Sequence, residues 1–466
     1  MPPDAVALTI RRHMEGHRGP LYPGILAAIR AAIESGDLQD GDRLPPQRHL
    51  AAVLKLDLTT VTRAFNEARH QGLIEAAVGR GSFVRGGASA RLWREGGRAL
   101  IDMTMNLPPL LENPSLKGLM QEGVASLLRR QEVHGLMSYR STAGTPEERA
   151  AGLAWLRPLL GRRWPGEVLV APGAQAALLA VLSSLARPGD VILAERCTYL
   201  GLRALAAQLG LVLAGVDMDD EGMLPEALDR ACREHAPRLI CCTPTIQNPT
   251  TATMPVARRE ALLAMARRHE VMVVEDDPYG LLPDQLLPAL ARLDPRRVFH
   301  IATVSKVLSP GLRTAFLIAP DEPQAERMTA VLRATAMMAP GLLTALVHHW
   351  IAGGQAQDLL RGVRREMTGR QAIARTVLGE MAVAHPQGLH LWLRLPAHWP
   401  STAFVAHMRE QGLAIVPSEA FTVEGEAPLR ARLALGPATD RGMLTSSLEM
   451  VAGALRQDTR TYATVV

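Results

Sequence analysis

Of the 51 lysine and arginine residues in this 466-residue chain, only three are lysines: Lys55, Lys117 and Lys306. Arginine serves wherever a positive charge suffices, so a surviving lysine raises the question of amine chemistry, above all imine formation with a carbonyl compound. Lys306 stands in Thr303-Val304-Ser305-Lys306-Val307-Leu308-Ser309-Pro310-Gly311-Leu312-Arg313, directly after an apolar run. A lysine at the end of a buried strand is desolvated, which lowers its pKa and frees its amine as a nucleophile. Thr303 and Ser305 add hydroxyls, and Arg313 adds a fork of donors suited to phosphate. Lys55 and Lys117 lack such company and read as chance survivors of the bias.

Three more segments carry complementary chemistry. In Val273-Val274-Glu275-Asp276-Asp277-Pro278-Tyr279 a carboxylate leaves a strand, where it can hold a pyridine nitrogen protonated. Ala171-Pro172-Gly173-Ala174-Gln175 joins a strand, a tight glycine turn and a helix N-terminus, which suits phosphate. Gln247-Asn248-Pro249-Thr250 is a polar turn. Each alone reads more readily as an ordinary turn or helix entry; their order and combination carry the argument.

These residues need a frame. Apolar runs at 168–170, 191–194, 211–216, 239–242, 271–275, 299–302 and 314–318 alternate with helical stretches, which predicts an α/β fold with a mostly parallel sheet. Ligands in such sheets sit beyond the strand carboxyl ends, where all four segments fall. Cys241 and Cys242, at a strand end, read as core. After about residue 355 helical sequence gives way to an alternating run, Gly388-Leu389-His390-Leu391-Trp392-Leu393-Arg394-Leu395, as on a half-covered strand of a smaller domain.

Taken together, these segments resemble fold-type I aminotransferases over about residues 100–455. The resemblance implies pyridoxal 5'-phosphate as cofactor, with Lys306 the catalytic Schiff-base lysine and Asp276 the partner of the pyridine nitrogen. Tyr279 and Asn248 correspond to the residues that bind the ring's phenolic oxygen, and Tyr199 to the aromatic stacked on the ring. Thr303, Ser305, Arg313, Gly173 and the amides of Ala174 and Gln175 fall on the phosphate cup. Tyr139 corresponds to a tyrosine that crosses a dimer interface to the neighbour's phosphate, and Arg432 to the arginine that clamps an effector or substrate carboxylate. Ala174 and Thr303 replace serines of the family pattern, and Thr251 replaces a glycine, which calls for a different turn there.

The first 85 residues read differently. Ile25, Ile29 and Ile33 mark one helix face that Gly36 can stop, and a second helix opens at Leu44-Pro45-Pro46. Val61, Ala64, Phe65 and Ala68 mark a third helix, and Gly79-Arg80-Gly81 turns a hairpin. The segments Pro20-Leu21-Tyr22, Ile33-Glu34-Ser35-Gly36, Gly41-Asp42-Arg43-Leu44-Pro45, Thr59-Thr60-Val61 and Gly79-Arg80-Gly81-Ser82-Phe83-Val84 resemble the GntR family of winged helix-turn-helix repressors. That resemblance implies double-stranded operator DNA as partner, met by Arg48, Thr59, Thr60, Arg63, Arg80 and Gly81. Leu58 departs from the arginine often found before the threonine pair. Residues 1–100 hold 14 basic against 10 acidic residues, the remainder 37 against 36, so the basic surplus lies at the expected DNA-binding end.

The division expected is a winged helix at 15–85, a basic Gly/Arg-rich linker at 86–99, and an aminotransferase-like part at 100–455, its large domain about 130–355 and small domain about 356–455. Four cysteines without metal-ligand spacing fit a reducing cytoplasm, and no metal is expected. The uncharged stretch 334–357 contains Pro340, Gly341 and two histidines, and reads as a buried helix pair rather than a membrane span. The whole resembles the MocR regulators. This implies a head-to-tail homodimer that senses an amine or amino acid, or pyridoxal phosphate itself, through an aldimine at Lys306. The alternative is an active aminotransferase with an accessory DNA-binding head.

Overall fold

All seven apolar runs enter one sheet in the computed structural model, which describes residues 3–14, 21–35, 37–38, 42–70, 73–77, 81–84, 93–95, 98–130, 132–162 and 164–457. The chain divides into two compact units, Met1–Arg91 and Leu92–Val466.

In the first unit, helices α1 (Pro3–Met14), α2 (Leu21–Glu34), α3 (Gln47–Leu54) and α4 (Leu58–His70) precede strands β1 (Ile74–Ala77) and β2 (Gly81–Val84). The two strands pair antiparallel from Ile74↔Val84 to Ala77↔Gly81, as a wing does. Helix α1 lies ahead of the expected start at residue 15, yet its Val6, Ala7 and Ile10 are fully buried with Ile25, Ile29, Val61 and Phe65. Its one apolar face finds its partner inside the head. The second helix begins at Gln47, not at Leu44, because Pro46 serves as its N-cap. Gly36, Gly41, Gly72, Gly79 and Arg80 lie outside the described residues.

The second unit opens inside the segment read as linker. Strand β3 (Trp93–Glu95) pairs with β4 (Arg98–Asp102), and β4 pairs parallel with a C-terminal strand at Leu413–Ala414. Helices α5 (Leu116–Arg130), α6 (Val133–Met137) and α7 (Pro146–Leu160) follow, then β5 (Glu167–Ala171), α8 (Ala174–Leu185), β6 (Val191–Glu195) and β7 (Val212–Val216). A short hairpin, β8 (Met218–Asp219) and β9 (Gly222–Met223), precedes β10 (Leu239–Cys242), β11 (Met272–Asp276), β12 (Val298–Thr303) and β13 (Ala315–Ala319). The sheet order is β5-β13-β12-β11-β10-β6-β7, with β13 alone antiparallel to its neighbours. Both faces are covered: Cys242, Val273 and Ile240 join one core, Cys241, Val274 and Leu239 the other. That double burial explains apolar runs without alternation.

The smaller C-terminal part holds β14 (Ala382–Val383), β15 (His390–Arg394), β16 (Leu413–Ala414), β17 (Val416–Pro417) and β18 (Arg430–Ala434), with sheet order β14-β15-β18-β17. Residues 334–357 form one buried helix, Gly341–Gly353, between the ends of two others, where a helix pair was expected. Among the described residues no helix is long and apolar enough to cross a membrane.

Under the sheet's C-terminal edge, Glu275 accepts from Leu290 N (2.8 Å), Ala291 N (3.0 Å) and His300 Nδ1 (2.9 Å), with Arg259 Nη1 at 3.9 Å. Burial alone would raise its carboxyl, but His300 and Arg259 hold it below the ordinary value, while Glu275 raises His300 against burial. Removing one partner of a buried pair strands the others. Glu275→Ala is therefore expected to destabilise the second unit by about 3–5 kcal/mol in urea unfolding, and Glu275→Gln by less.

Candidate functional site

The only reversal in the large sheet builds the site. Residues 304–314 join β12 to β13 through two short 3-10 turns, Val304–Lys306 and Pro310–Leu312, too short for a crossover helix. Lys306 therefore stays at the sheet's C-terminal mouth, and its Nζ donates to Asn106 O at 2.7 Å. Burial, reinforced by the charge of Arg432 and opposed by Asp276, brings its pKa down to about 8. At pH 7 about one such amine in ten is neutral and able to attack a carbonyl.

A cavity of about 190 Å³ opens above this turn, lined by Ala174, Gln175, Tyr199, Asn248, Asp276, Tyr279, Thr303, Ser305, Lys306 and Arg313 among others. Asp276 ends β11, and burial with the neighbouring charge of Asp277 pushes its carboxyl up to about 7. Tyr279 is buried and accepts from Asn106 Nδ2 at 2.9 Å; burial raises its phenol to about 12. Tyr199 caps the helix Leu200–Gln208 and faces the same space.

Helix α8 presents the amides of Ala174 and Gln175 at its start, after Gly173 at φ +97°. A Cβ at Gly173 would lie 2.6 Å from Arg313 Nη2, so glycine is what lets this turn approach the guanidinium. Arg313, itself at φ +47°, is aimed by its bond to Pro172 O at 3.0 Å. Thr303 Oγ1 and Ser305 Oγ lie 2.8 Å apart. Thr251 adopts φ +69°, a left-handed conformation that favours glycine, and its N–H donates to Gln247 O at 2.7 Å.

Arg432, buried on β18, meets the cavity through Asn248, one of its lining residues. Its Nη1 donates to Asn248 Oδ1 at 2.8 Å, its Nη2 to Thr104 O, and its guanidinium carbon lies 4.8 Å from the Phe421 ring centroid. Burial lowers its pKa to about 10, which leaves it fully charged. Tyr139, by contrast, is 84% exposed and takes no part in this cavity.

Sequence reasoning missed Asn106, His390 and Glu195. Asn106 Nδ2 lies 3.0 Å from His390 Nδ1, and burial with the charge of Arg432 keeps that imidazole neutral, its pKa about 3. Glu195, at the end of β6, accepts from Thr243 N at 2.7 Å while burial pushes its carboxyl to about 7. The one signal was a lone polar residue in an apolar setting: Asn106 amid Met-Thr-Met and Leu-Pro-Pro, His390 among leucines.

The donor set fits a phosphorylated pyridine aldehyde. A half-buried low-pKa amine, a half-buried carboxyl and a glycine-opened helix N-terminus beside an arginine share one cavity. On the first unit Arg48, Thr59 and Arg63 are exposed and Thr60 is half-buried; Gly81 begins β2. Asp57 Oδ1 accepts from Thr59 N (2.8 Å) and Thr59 Oγ1 (2.5 Å), and Arg63 lies 4.1 Å over the Tyr22 ring.

Residues 99–450 match the aminotransferase class I and II family and residues 21–84 the bacterial regulatory proteins of the gntR family. The chain is 30% identical over 416 residues to the uncharacterized HTH-type transcriptional regulator YdeF of Bacillus subtilis, covering 88% of this chain and 89% of the relative. It is 29% identical to the vitamin B6 salvage pathway transcriptional repressor PtsJ of Salmonella typhimurium, covering 86% and 90%. Among solved structures, α-aminoadipate aminotransferase LysN of Thermus thermophilus is similar with a TM-score of 0.70 at 27% identity, covering 79% of this chain and 94% of that one.

With three lysines in the chain, competition labelling can follow each one. In the ligand-free protein, reductive methylation of Lys306 is expected to rise with pH to a midpoint of about 8; a midpoint at 10.5 would contradict its burial.

Proposed function

The chain belongs to the MocR-type regulators, a GntR-family head joined to an aminotransferase class I and II domain, and from that premise we propose that it holds pyridoxal phosphate through Lys306 and reports an amino-carboxylate effector to double-stranded operator DNA. One observation carries this reading: Lys306, Asp276, Tyr279, Asn248 and Arg313 line one cavity, and Asn248 ties Arg432 to it.

Bound pyridoxal phosphate supplies a carbon that exchanges one amine for another and a ring that spreads the resulting charge. Lys306 offers the resident amine, poised near neutrality by burial. Asp276 offers a carboxylate to a ring nitrogen, and a proton on that nitrogen would favour its charged form against desolvation. Arg313 and the amides of Ala174 and Gln175 receive the phosphate. Tyr279 keeps its hydroxyl proton and donates it to the ring oxygen, while Arg432 receives the effector carboxylate. Residues 15–85 with α1 form the DNA-reading part; 100–455 form the ligand-reading part.

Tyr139 is 84% exposed, and the exposed apolar residues Met137, Val133 and Leu128 precede it closely in sequence, which supports the homodimer reading. A second reading, a working transaminase, draws on 29% identity to the 2-aminoadipate transaminase of Thermus thermophilus over 71% of this chain and 85% of that enzyme.

The wild-type protein incubated with pyridoxal phosphate is expected to show a visible absorbance band that Lys306→Ala abolishes; no band in the wild type refutes the cofactor. Footprinting upstream of the neighbouring genes separates the two readings. A Lys306→Ala protein that still binds DNA but ignores amino acids indicates a sensor. Sustained amino-group transfer to a keto acid at about 1 per second or faster indicates an enzyme.

A further inference from the structure

Residues 103–107 touch the charged groups of the site from the opposite wall. They continue β4, whose Ile101 N–H donates to Gly412 O (2.8 Å), followed by Met103 N–H to Ala414 O (2.9 Å); Ala434 N–H donates back to Met103 O (2.9 Å). The segment thus runs between β16 and β18 of the C-terminal part. Immediately afterwards Thr104 O accepts Arg432 Nη2, and Asn106 O accepts Lys306 Nζ. The Asn106 side chain binds Tyr279 and His390. At the far end there is no slack: a Cβ on Gly436 would lie 1.8 Å from Leu107 O.

The guanidinium of Arg432 makes this arrangement conditional. Its Nη1 is committed to Asn248, its Nε is buried without a partner, and its Nη2 is spent on the Thr104 carbonyl. Nε and Nη2 form one edge of the fork, the edge that takes a carboxylate through two parallel hydrogen bonds. A carboxylate seated there gives Nε its missing acceptor and takes Nη2 away from Thr104. Ligand and backbone compete for one donor.

The geometry points to residues 103–106 as a strap that an effector carboxylate displaces, which carries ligand binding along β4 toward the segment joining the two units. This rests on the assignment of Arg432 and the cofactor cavity made above. It also deepens that assignment, because an amine without a carboxylate leaves the Thr104 contact intact and gives no signal along this route. The strap has two arrangements biased by one ligand, which is the physical requirement for coupling.

The test uses the full chain and two probes that share ring, phosphate and amine: pyridoxamine 5'-phosphate, and N-(5'-phosphopyridoxyl)-L-alanine, which adds a carboxylate. Neither carries an aldehyde, so Lys306 stays free with both. With both probes bound, the amides of Ile101 and Met103 are expected to exchange hydrogen about tenfold faster with the alanine conjugate. Equal exchange overturns the strap while leaving the cofactor assignment standing. Failure of both probes to bind overturns both. Gly436→Ala presses on the Leu107 carbonyl without touching Lys306 or Arg432, and is expected to speed Met103 exchange in the absence of any probe. If that variant does not fold, Arg432→Gln, which leaves Thr104 O without its charged donor, is expected to reach the conjugate-bound rate. Slow, wild-type exchange in the folded variant overturns the proposal.

Discussion

The site of the aminotransferase-like unit depends on keeping one amine largely dry at the mouth of the sheet. Strands that run the same way require a crossover that carries the chain away from the strand ends, and six of the seven strands run one way. The seventh, β13, returns directly, so the turn carrying Lys306 never leaves the edge where Asp276 and Glu195 end their own strands. A dry amine must still place its protons, and it does so on a backbone carbonyl from the opposite wall, Asn106 O. The wall that receives it is laced into the C-terminal sheet through Met103 and Ala434. One desolvated nitrogen thereby ties the large sheet to the smaller subdomain.

The acids around that nitrogen divide into two classes. Glu275 is satisfied: two amides, an imidazole and a nearby guanidinium surround it, and it ties β11 to β12 and to two helices. Glu195, Asp276 and Asp277 lie close by with less compensation, and burial lifts each toward neutrality, to about 7, 7 and 6. A cluster of that kind is costly unless a cation shares it. Lys306 and His300 already face Asp276, and the ring nitrogen of the proposed cofactor would add a further partner there.

Much of this was legible in the residues. The seven apolar runs became the seven strands of one sheet because burial on both faces leaves a continuous signature. The chemistry-bearing loops were legible because lysine, acid-proline-tyrosine and glycine-turn segments follow strands, and strand ends converge. What the sequence could not reveal was long-range pairing. Residues 93–99 have the composition of a linker, and β4, besides pairing with β3, finds its second partner in Leu413 and Ala414 more than three hundred residues later. Asn106 was invisible for the same reason, since its partners Tyr279, Lys306 and His390 come from three separate elements. Helix α1 escaped notice because its apolar stripe is short and its partners lie in α2 and α3.

That late pairing also explains where a DNA-reading head is best attached. Coupling between two sites of about 1–3 kcal/mol changes affinity from about 5- to 150-fold, and a single hydrogen bond to a charged group contributes a comparable 1.5–3 kcal/mol. Exchange of one such bond is therefore enough to run a switch, provided the element that loses it leads to the head. The last helix, Arg441–Arg456, packs on the long helix Gln355–Leu378 and contributes no residue to the cavity. The first strands do lead there: β4 follows the head in sequence and, two residues past its end, meets the donor that a carboxylate would claim. A head joined at the amino end is thus continuous in sequence with the proposed strap, and one joined at the other end would follow a helix that contributes no residue to the cavity.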